Sequence, residues 1–401
     1  MNDWKKVKLG EVCKIKSGKR LPKGCEFSDT PTKYKYIRAR DIKNGIINGE
    51  ELAYITEETQ YKISKYIVNS DDIVITIVGA SVGDVAYISS QYNGVNLTEN
   101  AVRLTQFNTD VNSRYLFYIL NSPNYYQLMQ RIAGGAAQPK MGIYKVEAIE
   151  VYLPSLSTQQ RIATILSRYN SLIENYQKQI KLLEESAQRL YKEWFINLRF
   201  PGHENTKIVD GVPEGWEKKS IADLGTYLNG FAFKPSDWQE RGKPIIKIKE
   251  MGNGISTDTP RNNGERVPEK YLIKSGDLLF SWSATLMVIV WTGEEGWLNQ
   301  HLFKVTPTQG IGREFLLQSI SKTIAEFSNL TTGSTMKHIQ RNKLEQVFVN
   351  TPTSEIMNCY CRIAERQREQ ILNISSQIRH LTEARDRLLP KLMSGEINVE
   401  S

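Results

Sequence analysis

The segment Tyr36–Gly45, with the sequence YIRARDIKNG, returns later in the chain as Ile245–Gly254, with the sequence IIKIKEMGNG. Both segments carry basic residues at the third and fifth positions, an acid at the sixth, and Asn-Gly at the end. Other matches flank this pair in the same order, at an offset that falls from 212 to 198: Trp4 with Trp216, Asp72–Ile75 with Asp277–Phe280, Leu97–Leu104 with Leu298–Val305, Gly135–Met141 with Gly333–Ile339, and Val151–Pro154 with Val349–Pro352. Because ordered self-similarity marks a repeated structural unit, the sequence predicts a tandem duplication.

The composition is that of an ordinary globular protein, with 401 residues, 40% hydrophobic residues and 24% charged residues. Four cysteines do not make a disulfide framework in a chain of this length. The first residues lack the apolar run of a signal peptide. The uncharged stretch Leu278–Gly293 is shorter than the ~20 residues of a membrane helix and predicts a buried β-hairpin. We therefore expect a soluble, cytoplasmic, reduced protein with no membrane partner.

Each copy divides into a β-rich part and a long helix. The β-rich parts contain short β-type runs broken by Gly, Asn and Pro, and each has one helical pattern, at Asn112–Leu120 and Arg313–Ile324. Heptad-spaced apolar residues follow in both copies and predict two long helices with an apolar seam. We expect Pro390 to break or kink the second helix. The predicted seam residues are Ile162, Tyr169, Ile173, Tyr176, Ile180, Leu183 and Leu190 in the first helix, and Ile371, Ile374, Ile378, Leu381 and Leu388 in the second.

Two long helices of similar length can bury their seams against each other if the chain folds back. The alternative is that each helix packs on its own domain, which a length of roughly 60 Å at 1.5 Å per residue makes difficult. The predicted fold class is α+β: two tandem-duplicated β-rich domains joined by two long helices that form an antiparallel coiled coil. The expected divisions are 1–154 for the first domain, 155–198 for its helix, 199–215 for a linker, 216–352 for the second domain and 353–396 for its helix.

The positive charge is concentrated at the start of the chain. The net charge is +8, and residues 1–40, with 12 Lys and Arg against 4 Asp and Glu, supply the same value alone. Basic residues interleaved with tyrosine are typical of contacts to phosphate and bases. The basic pairs at the third and fifth positions of the repeated segment should share one face of a strand. Solvated strand faces and plain turns remain the alternatives. The candidate DNA-binding residues are Lys16, Lys19, Arg20, Arg38, Arg40, Gln138, Lys140, Lys234, Lys247, Lys249, Ser334, Thr335, Lys337 and His338.

The order of these motifs resembles the DNA-specificity subunits of type I restriction–modification enzymes over nearly the whole chain. The matching motifs are Trp4-x4-Leu-Gly-Glu-Val, Val212-Pro-Glu-Gly-Trp216, Tyr36–Ile42, Ser275-Gly-Asp277-Leu-Leu, Pro154-x5-Gln160-Arg-Ile-Ala163, Leu190-x3-Trp194-Phe195 and Leu388–Ile397. The resemblance implies two target-recognition domains, each reading one half of a bipartite, asymmetric site on double-stranded DNA. It also implies that the helices set the gap and dock two methyltransferase subunits, which restriction subunits then join. After Pro154 and Pro352 the chain departs from the Glu-Gln common in the family.

No motif of independent catalysis stands out. Asn121-Ser-Pro123-Asn124 comes closest to the adenine methyltransferase loop, but it lacks the aromatic fourth residue and a Gly-x-Gly partner loop. The cysteines and histidines lack the spacing of a zinc site. The sequence therefore predicts a non-catalytic subunit without metal or cofactor. The competing hypotheses are a basic scaffold that joins protein partners without reading sequence and, less favoured, a DNA adenine methyltransferase.

Overall fold

The structure is a computed structural model and describes residues 4–49, 51–134, 139–283, 285–330 and 344–399. In the first β-rich domain, the described strands are β1 (Lys5–Lys8), β2 (Lys14–Ser17), β3 (Lys35–Ile37), β4 (Ile42–Lys43), β5 (Ile46–Ile47), β6 (Ala53–Tyr54), β7 (Ile73–Thr76), β8 (Val85–Tyr87), β9 (Asn96–Leu97), β10 (Ala101–Thr105) and β11 (Glu150–Leu153). The helices are α1 (Leu9–Val12), α2 (Glu57–Lys62), α3 (Ser113–Leu120), α4 (Pro123–Ala133), α5 (Ile143–Glu147) and the long α6 (Leu156–Tyr191). The strands are short because glycine and polar turn residues interrupt the β-branched runs.

A four-stranded antiparallel sheet in the order β2-β10-β7-β8 forms the centre of this domain. Its inner strands β7 and β10 are buried along their whole length, and α3 adds Tyr115 and Leu116 to the same core. The first and last strands pair antiparallel, with Lys5 opposite Leu153. β3 runs parallel to β9 and antiparallel to β6. The β1–β11 pair ties the beginning of the domain to its end, immediately before α6 begins.

The second domain repeats this plan. Its described strands, with the hairpin that precedes them, are β12 (Ile208–Val209), β13 (Val212–Pro213), β14 (Glu217–Ser220), β15 (Gly225–Asn229), β16 (Lys243–Ile246), β17 (Arg261–Asn262), β18 (Leu272–Ile273), β19 (Leu278–Ser281), β20 (Met287–Val290), β21 (Gly296–Leu298), β22 (Leu302–Pro307) and β23 (Phe348–Thr351). The helices are α7 (Ile248–Asn253), α8 (Arg313–Leu330) and the long α9 (Ser354–Met393).

The strand pairings of the two domains correspond. The sheet β15-β22-β19-β20 repeats β2-β10-β7-β8, the parallel pair β16–β21 repeats β3–β9, and β14–β23 repeats β1–β11. The predicted duplication is thereby confirmed at the level of topology. The predicted hairpin within Leu278–Gly293 is also confirmed, since β19 and β20 pair antiparallel with Ser281 opposite Met287.

One duplicated glycine explains why the strands approach each other so closely. Gly18 donates its amide to the carbonyl of Ala101, and Gly230 donates to Leu302, at 3.1 and 3.0 Å. A Cβ atom would lie 2.0 Å from the Thr98 carbonyl oxygen at Gly18, and an equivalent clash exists at Gly230. A glycine is therefore required at both positions because no side chain fits between the backbones.

The chain divides into two compact units that do not coincide with the two halves of the sequence. One unit contains the residues up to Leu172 and those from Thr382 onward, and the other contains Ile173–Leu381. Each unit therefore includes one β-rich domain, a segment of α6 and a segment of α9. The predicted divisions followed sequence order, whereas packing joins each domain to segments of both helices.

Within each unit, the two long helices contact each other in antiparallel order. In the first unit, Asn170 accepts a hydrogen bond from Arg385 at 2.9 Å. In the second, Gln367 donates to the Ser186 hydroxyl at 3.0 Å, and the rings of Tyr191 and Tyr360 have centroids 6.5 Å apart. Every predicted seam residue is buried or partly buried. These residues are Ile162, Tyr169, Ile173, Tyr176, Ile180, Leu183, Leu190, Ile371, Ile374, Ile378, Leu381 and Leu388.

The predicted break of the second helix at Pro390 is wrong, because α9 continues to Met393. Less than one turn of α9 follows this proline, and the residues around it are packed. Leu388 and Leu392 belong to the core of the first unit, so tertiary contacts offset the hydrogen bond that proline removes. Among the described residues, no helix is long and apolar enough to cross a membrane.

Candidate DNA interface

Lys16, Lys19 and Arg20 lie where β2 ends and its following loop begins. Lys16 lies on β2 opposite Arg103. The Lys19 ammonium lies 5.5 Å from the centroid of the Tyr66 ring, and its backbone amide donates to the Leu97 carbonyl. The loop therefore leaves the sheet in a fixed direction and carries two of the predicted basic residues, Lys19 and Arg20.

Arg20 contacts an acid, Glu99, that is not among the residues predicted to bind DNA. Its Nε donates to Glu99 Oε1 at 2.7 Å, and this hydrogen bond raises the pKa of the guanidinium. Partial burial raises the pKa of Glu99, but hydrogen bonds from Arg20, from its own backbone and from Thr98 outweigh burial, so the pKa lies below its ordinary value. Both groups are thus charged at neutral pH.

The expectation that Arg38 and Arg40 share one face of a strand is wrong. β3 ends at Ile37, and residues 39–41 form one turn of 3-10 helix that Arg38 precedes. Arg38 pairs with the buried Asp41 through Nε at 2.9 Å and Nη2 at 2.8 Å, and its own backbone amide also donates to that carboxylate. Arg40 remains 70% exposed. An acid three residues on can cap a new helical turn, which ends the strand before the basic pair.

Lys247 and Lys249 occupy the same places in the second domain and are likewise not on a strand. Lys247 precedes α7, and its amide donates to the buried Glu250 at 3.1 Å. Its ammonium lies 5.1 Å from the centroid of the half-exposed Trp238 ring. Lys249 lies on α7 and pairs with Asp258, an interaction that lowers the pKa of that carboxyl to about 2.

The remaining predicted residues divide between described and undescribed parts of the chain. Lys140 forms an isolated bridge with Val78, and the neighbouring Ile77 amide donates to the Asn100 carbonyl at 2.7 Å. Lys234 precedes a short 3-10 turn, where its amide donates to Asp237. The predicted residues Gln138, Ser334, Thr335, Lys337 and His338 lie outside the described residues.

In the first domain, these contacts bring several loops to one edge of the central sheet. The loop after β2 contacts the β9–β10 turn through Arg20 and Glu99, and that turn contacts the segment after β7 through Asn100. The bridge from Val78 then adds Lys140 to the same edge. The segments that carry Arg20 and Lys140 thus lie beside a turn that carries an acid and an amide, which suits phosphate contacts next to groups that can read bases.

The second domain has different side chains on the same backbone. Its β21–β22 turn carries Gln300 and His301 where the first domain has Glu99 and Asn100. The loop after β15 is aromatic, with the Phe231 and Phe233 rings 4.9 Å apart. These turn residues lie within the repeated segments Leu97–Leu104 and Leu298–Val305, but the pattern of Lys and Arg residues does not single them out. The described residues include no cluster of three His, Cys, Asp or Glu that could hold a metal ion.

The family described as the type I restriction modification DNA specificity domain matches the chain twice, over residues 1–185 and 213–382. This chain belongs to that family. It is a DNA-specificity subunit of a restriction–modification system and not one of the catalytic subunits, which are separate chains. Such subunits bind DNA and assemble with the other subunits of the complex.

Curated relatives extend over almost the whole specificity subunit. The type I restriction enzyme MjaIX specificity subunit of Methanocaldococcus jannaschii is 26% identical, covering 99% of this chain and 94% of the relative. The HindI specificity subunit of Haemophilus influenzae is 22% identical over 99% of this chain and 100% of its own length.

The fold of this chain is similar to that of a solved S-subunit structure. The S subunit of a type I restriction–modification system from M. genitalium has a TM-score of 0.56 at 14% identity, covering 98% of this chain and 97% of that chain. The specificity subunit therefore shares its fold with a protein from which its sequence has diverged widely.

Proposed function

We propose that each β-rich domain of this specificity subunit reads one half of a bipartite, asymmetric site on double-stranded DNA. The supporting observation is that the two domains share one scaffold but differ in the side chains at the same edge of the sheet. In the first domain this edge carries Arg20 and Glu99, and in the second the matching positions are Ala232 and Gln300. Since base recognition depends on the donors and acceptors of the side chains, two different sets should select two different half-sites.

The proposed function of the two long helices is to set the gap between the half-sites. Their antiparallel contacts within each unit are those expected of an antiparallel coiled coil, and every predicted seam residue is buried or partly buried. Such a pair of helices has a length fixed by 1.5 Å per residue. The number of residues in the helices would then define the number of base pairs that are not read.

The helices also offer the proposed docking surface for two methyltransferase subunits, with restriction subunits joining the complete complex in the cytoplasm. Exposed apolar side chains such as Leu182, which is 61% exposed, and Ile363, which is 42% exposed, support a protein partner on these helices. A partner supplies the chemistry, so the specificity subunit needs no metal or cofactor.

Mapping of methylated adenines tests this proposal. The subunit is expressed with its methyltransferase subunit in a host without other adenine methylation, and the genome is sequenced with detection of modified bases. We expect two short, different motifs separated by a gap of constant length. Methylation without a bipartite motif would contradict the proposal and favour the scaffold hypothesis, in which the basic domains join proteins without reading sequence.

A further inference from the structure

The Arg20–Glu99 pair is held in place by buried groups on both sides. The hydroxyl of Tyr36, which is 2% exposed, donates to the Lys19 carbonyl at 2.7 Å and fixes the backbone immediately before Arg20. The hydroxyl of Thr98, which is 5% exposed, donates to Glu99 Oε2 at 3.1 Å. One carboxylate oxygen is thus held by the protein core, and the other is left to orient Arg20.

This arrangement does little for folding stability. The Arg20 side chain is 80% exposed, and exposed ion pairs contribute little because water and salt screen them. An acid is also unfavourable at an edge that approaches phosphate, because like charges repel. Orientation of the arginine explains why an acid is present at this edge.

The hydrogen bond at Nε leaves the outer end of the guanidinium available. Within the described ranges, Arg20 donates to Glu99 through Nε, and neither Nη1 nor Nη2 makes a hydrogen bond. Two parallel N–H donors in one plane match O6 and N7 of guanine in the major groove, and this is the commonest specific contact between proteins and DNA bases. A side chain already oriented by a neighbour loses less conformational entropy on binding.

We propose that Arg20 reads a guanine in the half-site of the first domain, with Glu99 as its positioning residue. This inference rests on the proposed recognition of one half-site by each domain. The second domain cannot make the same contact from this position, because Ala232 replaces the arginine and Gln300 replaces the acid. A glutamine amide instead matches N6 and N7 of adenine. The pair therefore also accounts for part of the asymmetry of the site.

The test uses the complete complex of the specificity subunit with its methyltransferase subunits. The wild-type motif is first mapped, and binding is then measured by fluorescence anisotropy on duplexes that vary one base pair at a time. For Arg20→Ala, we expect a loss of discrimination on the order of 10- to 100-fold at one G·C position of one half-site, with the other half-site unchanged. Glu99→Gln should weaken discrimination at that same position, and the double variant should lose no more than Arg20→Ala alone.

Lys19→Ala is the matched control. The Lys19 ammonium lacks the paired, coplanar N–H donors of a guanidinium, so its loss should lower the affinity equally for all duplexes. Unchanged discrimination in Arg20→Ala, or a loss confined to an A·T position, would overturn the guanine contact. A loss in Arg20→Ala that is independent of Glu99→Gln would overturn the positioning role. In each case a bipartite wild-type motif would leave the proposed function of the domains intact.

Discussion

At the scale of single residues, Arg38 and Arg40 have different environments, although the sequence pattern predicts that they are equivalent. Arg38 donates hydrogen bonds to the buried Asp41, whereas the Arg40 side chain is 70% exposed and its Nε lies 4.0 Å from the same carboxylate. Alternation predicts a shared strand face, and only the folded turn reveals that the Arg38 guanidinium donates to Asp41, the acid that caps this turn. The pattern of charges thus located this basic segment without separating its structural cation from its exposed one.

We predict that Arg40→Ala weakens binding to every DNA sequence and makes the salt dependence of binding shallower. Loss of one phosphate contact should reduce the slope of log K against log salt by about 1. Anisotropy titrations of the complex across a salt series measure this slope. An unchanged slope would exclude Arg40 from the DNA contact.

Arg38→Ala should instead lower the free energy of unfolding by about 2 kcal/mol, because its loss leaves Asp41 buried without its charged donor. Urea denaturation of both variants provides the comparison, and each serves as the control for the other. A stability equal to that of wild type would contradict the structural role of Arg38.

The duplicated glycine before each recognition loop gives a second prediction for single residues. Gly230→Ala should destabilise the protein by roughly 1–3 kcal/mol or more, since its Cβ would lie 2.2 Å from the Asn299 carbonyl oxygen. Gly252→Ala is the matched control: its nearest neighbour is Met287 Cε at 3.6 Å, and α7 should gain about 0.5–1 kcal/mol from alanine. Equal urea midpoints for the two variants would disprove the tight approach.

At the scale of elements, the two domains attach to the long helices by different chemistry. In the second unit, Arg368 on α9 donates twice to Glu314 on α8, at 2.8 and 3.1 Å, and both side chains are buried. In the first unit, Asn170 on α6 donates to the Tyr118 hydroxyl on α3, a neutral contact. The heptad pattern predicted both long helices, but it contained no sign of these attachments.

We predict that Arg368→Met lowers the free energy of unfolding by about 3 kcal/mol, because the buried Glu314 would lose two charged hydrogen bonds and keep, among the described residues, only the ion pair with Arg313, whose Nε lies 3.7 Å away. Arg366→Met, on the exposed side of the same helix, should change it by less than about 0.5 kcal/mol. Urea denaturation monitored by circular dichroism measures both. A loss of similar size in the two variants would show that the buried pair does not fasten α8 to α9.

The elements also show where local patterns fail. The helical patterns at Asn112 and Arg313 correspond to α3 and α8, whereas α4 was not predicted. Its sequence, PNYYQLMQRIA, buries only Met129 and Ala133, so its apolar face is too narrow to stand out. The break predicted at Pro390 does not occur, because a proline near a helix end is tolerated when the surrounding residues are packed.

At the scale of the whole molecule, both compact units contain a segment of each long helix. Insertion of four residues into both helices, near residues 172 and 381, should lengthen the proposed spacer by about 6 Å. At ~3.4 Å per base pair, the unread gap should widen by about two base pairs while both half-sites stay the same. Mapping of methylated adenines measures the gap.

An insertion into one helix alone is the control, because it shifts one seam against the other and should abolish methylation. Retained methylation with an unchanged gap in the double insertion would contradict the spacer function.

The sequence by itself determined the duplication, the strand-rich domains, the two long helices and the family, because these depend on periodicity and on motifs repeated in order. Only the tertiary structure decided which cations are exposed, which acids orient them, and how each domain combines with segments of both helices. The physical reason is distance along the chain. Arg20 and Glu99 are 79 residues apart, and Glu314 and Arg368 are 54 apart, so no local pattern relates them until the strands and helices pack.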